Sequence, residues 1–112
     1  MTPQIIGTKK SKSFRACVRY CKERGIEFQE RDPIEKPLSE GELAAITAAV
    51  PAEEIVDTES KTYKTRGLAW MEYDPVEEVA EDASLLRQPI VRTDAGVVIQ
   101  PDVADLDAVF GR

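Results

Sequence analysis

The feature that most constrains this chain is the pattern of residues 3–31. PQIIG (3–7) is a short apolar run that stops at Gly7 and reads as a strand. Phe14, Cys17, Val18 and Cys21 follow at i, i+3, i+4 and i+7, the spacing of one apolar helix face, with Arg15, Arg19 and Lys22 on the other side. Ser11 or Ser13 can cap the start of that helix, and Gly25 fits just past its end. IEFQER (26–31) alternates apolar and polar, the signature of a second strand. Strand, helix and strand in so short a stretch favour parallel strands joined by a crossover, which places the chain in the α/β class.

The rest of the chain adds helices and then a hairpin. Pro33 and Pro37 bracket a linker. Ser39 and Glu42 form a capping box ahead of LAAITAAV. Pro51 opens a short helical stretch over 52–57, and TESKTYKTRG (58–67) is polar and ends at Gly67. Asp74-Pro75 starts a helix that the pattern carries to about Leu86. PIVRT (89–93) reads as a strand, residues 94–96 as a turn, and VVIQ (97–100) as the hairpin partner. Asp102 caps a last helix ending near Gly111. Trp70 and Tyr73, in LAWMEYDP, are expected to cover the sheet. At 112 residues this is one domain, with a helical insertion over about 38–87.

Composition removes several chemistries. There is no histidine, which excludes Ser-His and Cys-His catalysis and His-ligated metals. Two cysteines are too few for a structural Cys₄ or Cys₃His zinc site, and neither a metal nor a bound cofactor is expected. Net charge is −6, unevenly spread: residues 1–31 hold eight Lys/Arg against three Asp/Glu, and residues 32–112 hold seven against eighteen. An acidic chain is ill suited to neutralising nucleic-acid phosphates, so direct nucleic-acid binding is not expected. No apolar run approaches the roughly 20 residues a membrane span needs. No basic n-region precedes an apolar stretch at MTPQIIG either, so the expectation is a cytoplasmic protein without membrane contact.

The basic excess gathers where the first strand turns into the first helix. Lys9, Lys10, Ser11, Lys12 and Ser13 place three ammonium groups and two hydroxyls in that turn. Such a turn suits a small anion or an acidic partner surface. The plainer reading is a helix cap at Ser11 and solvated lysines. Cys17 and Cys21, four apart on the apolar face, read as buried thiols rather than a redox pair, because helical geometry at that spacing disfavours a disulfide.

The wording of the chain adds a resemblance. GTKKSKSFRACVRYCKERGIEF, EKPLSEGEL, SKTYKTRGL and LLRQPIVRTDAGVVIQPD together resemble the arsenate reductase family, the ArsC/Spx group, over nearly the whole length. The resemblance implies a thioredoxin-like mixed four-stranded sheet with an inserted helical subdomain, and a cis proline at Pro89 beside the site. In that family the turn after the first strand carries a nucleophilic cysteine at a helix N-terminus, where amide groups and the helix dipole lower a thiol's pKa. Here its position is Ser11, and the second cysteine of a CxxC would fall at Phe14. A serine with no base to activate it supplies almost no alkoxide, and it cannot form the mixed disulfide that thiol recycling needs. The resemblance also marks departures at Glu59, Gln88 and Gln100, where the family tends to carry arginine or, before Pro89, an Arg-Pro-Ile sequence. An amide or carboxylate does not replace a guanidinium's paired hydrogen bonds to an oxyanion.

The resulting expectation is a member that no longer reduces arsenate and acts as a binding or regulatory module. Lys9, Lys10, Lys12, Arg15, Arg87 and Arg92 are its candidate anion-binding residues. A small anion, glutathione or an acidic protein surface is the candidate partner. The alternative is a glutathione-linked oxidoreductase or transferase in which Ser11 activates the thiol of glutathione.

Overall fold

Strand β1 (Gln4–Ile6) is the hub of a four-stranded sheet in the computed structural model, which describes residues 1–112. The strand order is β2-β1-β3-β4. β1 pairs in parallel with β2 (Gln29–Arg31), setting Ile5 against Glu30. It pairs antiparallel with β3 (Ile90–Thr93), setting Ile5 against Val91. β3 and β4 (Gly96–Ile99) form the expected hairpin. The crossover between β1 and β2 is helix α1 (Lys12–Glu23), and helix α5 (Val103–Val109) follows the hairpin under an Asp102–Asp105 capping box.

Successive strand residues face opposite sides of a sheet. Ile5 and Val91 share one side, in one core with Phe14, Cys17, Tyr20 and Cys21 of α1 and Leu106 and Val109 of α5. Each aliphatic or aromatic side chain buried to that degree contributes about 1.5–3 kcal/mol. The buried stripe of α1 includes Tyr20 and leaves Val18 at its margin. Tyr20 can be 5% exposed because its hydroxyl donates to the Asp107 carboxylate, its ring stacks on Phe110 at 6.0 Å, and the Arg24 guanidinium lies 3.7 Å from the ring centre. α1 stops at Gly25, whose φ of +64° suits a residue without Cβ. The Gly25 and Ile26 N–H groups then bond back to the Lys22 and Cys21 carbonyls.

Two compact units make up the chain. The sheet unit is Met1–Pro33 with Gln88–Arg112, and the helical unit is Ile34–Arg87. In the helical unit, Ser39 and Glu42 close the capping box ahead of α2 (Glu40–Ala49), with both reciprocal bonds formed. One helix is added there and two expectations need correction. The polar run 58–67 contains a helix, α3 (Lys61–Thr65), whose cap is Ser60 accepting from the Tyr63 N–H. With so few apolar residues it shows no helical stripe, so only the cap betrayed it. The helix after Asp74 is α4 (Pro75–Glu81) and does not continue to Leu86. Asp82 adopts an extended backbone and its carboxylate caps a separate 3₁₀ turn at Ala83–Leu85. Finally, Trp70 does not cover the sheet: it lies in the helical unit and is 92% exposed, and Tyr73 in the same unit packs edge-on against Tyr63.

Candidate functional site

Gly7 sits where β1 ends, with its N–H on the Arg31 carbonyl of β2. A Cβ at this position would come within 2.9 Å of Phe14 Cδ2 and 3.0 Å of Gln88 Oε1, so only glycine lets the chain pass between α1 and the segment entering β3. The next N–H, of Thr8, donates to Gln88 Oε1 at 2.7 Å. The Ser11 N–H donates to the Thr8 carbonyl at 3.0 Å and closes a tight turn. Ser11 then takes an extended backbone, and its Oγ accepts the Phe14 N–H at 3.1 Å. It is the N-cap of α1.

The basic groups divide into those that build the turn and those that decorate it. Arg15 donates a guanidinium N–H to the Lys9 carbonyl at 2.6 Å, tying the tip of the turn to the first helical turn. Lys9, Lys10 and Lys12 are exposed and form no ion pair, and no carboxylate occupies the first turn of α1. The backbone N–H groups of Lys9, Lys10, Lys12 and Ser13 make no hydrogen bond within the protein. Unpaired amides at a helix start, three ammonium groups and the helix dipole together make a region of positive potential.

Arg92 stands apart from the turn. Arg92 lies on β3 opposite Gln4, the first residue of β1, and donates to Gln4 Oε1 at 3.2 Å. Thr8 is four residues further along, about 13 Å at the usual rise of a strand. Arg92 also falls on the sheet side opposite Ile5 and α1, so it does not join the turn. Arg87 belongs to the helical unit, where its guanidinium donates to the Glu54 carbonyl and its N–H to the Ile55 carbonyl. Pro89 is buried, its peptide bond with Gln88 is cis as the resemblance implies, and its carbonyl accepts the Gln100 N–H at 2.8 Å.

Cys17 and Cys21 are buried free thiols. Burial, with a smaller contribution from neighbouring Cys21, pushes Cys17 up to about 11, and burial likewise raises Cys21. Neither thiol has the electropositive, solvent-accessible setting that makes a cysteine reactive. Sequence reasoning treated Gln88 only as an arginine lost and gave Thr8 no part. The structure makes the pair a hydrogen-bonded brace of the turn. A glutamine directly before a strand-opening proline was the available signal.

No family model matches the chain, and no curated protein matches it. Its likeness is to solved structures. An arsenate reductase from Vibrio cholerae superposes with a TM-score of 0.79 at 19% identity, over 99% of this chain and 97% of that one. A protein described as related to the ArsC family, from Bacteroides fragilis, superposes with a TM-score of 0.84 at 17% identity, over 97% and 99%. A solution structure of an arsenate reductase (ArsC) related protein from Brucella melitensis gives 0.72 at 17% identity, over 100% and 97%. At these identities the likeness is one of fold, and the mixed four-stranded sheet with its five helices agrees with it: this chain has the thioredoxin-like fold of the arsenate reductase-related proteins.

Proposed function

We propose that this chain is a non-reducing arsenate reductase-like protein whose basic turn binds a small oxyanion or a carboxylate-bearing surface. The observation that carries this reading is the state of Ser11. Its Oγ is engaged as the cap of α1, no histidine is present to remove its proton, and oxygen cannot enter the thiol exchange that a reductase of this kind needs. The brace between Thr8 and Gln88 supports the same reading, because it commits one amide of the turn to the protein itself. What remains is electrostatic. Three ammonium groups near the surface attract a monoanion by about 1 kcal/mol each at 4 Å in water. One net hydrogen bond adds about 1 kcal/mol, and the cost of association is set against these terms, so the expected binding of a simple ion is weak.

A second reading has one observation in its favour. The Ser11 hydroxyl uses a lone pair on Phe14 and keeps its own proton, so it can donate to a thiolate held in front of α1. In that case the chain is a glutathione-linked transferase or oxidoreductase in which glutathione supplies the sulfur.

Titration with phosphate and then glutathione, followed by amide chemical shifts, together with an arsenate assay containing glutathione and glutaredoxin, tests both. Shifts confined to residues 8–15, lost at high salt, with no turnover, are the expected result. Thiol-transfer activity that Ser11→Ala abolishes selects the second reading. Arsenate consumption by the unaltered chain at a rate typical of thiol-dependent reductases overturns both.

A further inference from the structure

The helical unit carries more negative charge than its own contacts use. Residues 34–87 hold thirteen Asp/Glu against five Lys/Arg, a net of −8. Glu53 and Glu72 are exposed, make no ion pair, and line a groove of about 470 Å³ together with Met71, Tyr73 and Pro75. Directly before this groove in sequence stands Trp70, 92% exposed, followed by Met71 at 56%. Neither is a frayed end. Gly67, at φ +65°, turns Leu68 inward to 1% exposure, and the 3₁₀ turn Leu68–Trp70 is closed by the Trp70 N–H on Gly67 and the Met71 N–H on Leu68. The backbone therefore holds the indole out in water. Tyr73 is held as well, by Tyr63 at 6.3 Å between ring centres. Burial, Tyr63 and the Glu53 carboxylate raise its hydroxyl, which agrees with a carboxylate close to the ring.

The chemistry of this surface selects its occupant. A purely apolar ligand would strip water from Glu53 and Glu72 and give them nothing in return. An anion would be repelled. A guanidinium satisfies both demands, since its plane stacks on indole and its N–H groups pair with carboxylates. We propose that the groove lined by Glu53, Met71, Glu72 and Tyr73, together with the exposed Trp70 that precedes Met71, docks an arginine-bearing basic segment of a partner protein, with arginine on Trp70 and its charge against Glu53 and Glu72. This assignment is independent of the basic turn and of any anion bound there.

Trp70 is the sole tryptophan and is next in sequence to Met71 of the groove, so intrinsic fluorescence reports on an occupant that stacks on it. The probe is a synthetic peptide of alternating arginine and leucine, with its glutamate–leucine counterpart as control. The expected result is a saturable change in Trp70 emission with the basic peptide alone, weakened roughly tenfold or more in Glu53→Gln/Glu72→Gln and less than about twofold in Glu77→Gln/Glu81→Gln, whose carboxylates lie on α4 outside the groove. Calorimetry of Trp70→Ala, with an unchanged thermal melt, is expected to show the same loss. No saturable change, an equal response to the acidic peptide, or equal weakening by the two pairs of substitutions overturns the proposal. So does a sedimentation series in which the chain self-associates and shields Trp70, which would assign the face to a second copy.

Discussion

Replacing Ser11 separates its role as a cap from any role as a reactive group. The Ser11 Oγ accepts one bond, from the Phe14 N–H at 3.1 Å, and Ser13, two residues on, makes none. Removing an N-cap side chain costs about 1 kcal/mol, within a range of about 0.5–2. Ser11→Ala should therefore lower the melting temperature by about 4 °C in a domain of this size, while Ser13→Ala should leave it nearly unchanged. Ser11→Gly should cost only a few tenths of a kcal/mol, because glycine's backbone adopts the cap conformation readily. Ser11→Asp should be at least as stable as the unaltered chain. It keeps an acceptor and adds a negative charge beside the helix start and Lys9, Lys10 and Lys12, worth about 0.3–1 kcal/mol at low salt. Urea unfolding followed by circular dichroism, at low and high salt, gives the order Asp, Ser, Gly, Ala. An alanine variant as stable as the parent, or an aspartate variant less stable than alanine, refutes the capping argument.

Three further outcomes follow from the same region. Gly7→Ala forces a methyl against Phe14 Cδ2 and Gln88 Oε1 and should destabilise by about 1–3 kcal/mol, read as a lower urea midpoint; an unchanged midpoint would mean the turn is looser than described. Gln88→Leu removes the acceptor of the part-buried Thr8 N–H and should cost about 1–2 kcal/mol, with loss of hydrogen-exchange protection at Thr8 as the specific mark. Because Cys17 is raised from 9.0 to about 11, the unfolded thiol loses its proton first, so its contribution is complete below pH 9.0 and declines as pH rises toward 11. Cys21 and Tyr20 are raised in the same sense. Stability should fall across that window and native Cys17 should label slowly at neutral pH; a flat profile with fast labelling would contradict its burial.

The elements that could be read from sequence are those whose causes are local. The βαβ start, the Ser39–Glu42 capping box, the Asp94–Gly96 turn and the Asp102-capped final helix each rest on residues within a few positions of one another, and each is present in the structure. What was left out or misread has causes of both kinds, distant for Tyr20 and local for the end of α4 and for Trp70. Tyr20 is buried because Asp107 and Phe110 arrive from the other end of the chain. The end of α4 depends on Asp82, whose carboxylate caps the next turn instead of letting the helix run on. Trp70 was expected to cover the sheet, yet a backbone turn set by Gly67 points Leu68 inward and leaves the indole outside.

The same distinction bears on the candidate site. Lys9, Lys10, Ser11, Lys12 and Arg15 are neighbours in sequence, and they remain neighbours in the fold because one turn carries them. Arg92 was grouped with them by charge, but antiparallel register places it opposite Gln4, at the far end of β1. Gln88 shows the converse: eighty residues from Thr8, it is brought to the turn by β3 running antiparallel to β1. A guanidinium at that position could offer an oxyanion several N–H donors, whereas the glutamine turns its acceptor oxygen to the backbone of the turn. Residue 88 thus faces the protein's own amide, and any anion affinity falls to the lysines and the unpaired amides of Lys9, Lys10, Lys12 and Ser13. Attraction of that kind is strongly screened by salt and weakly selective among anions of similar charge.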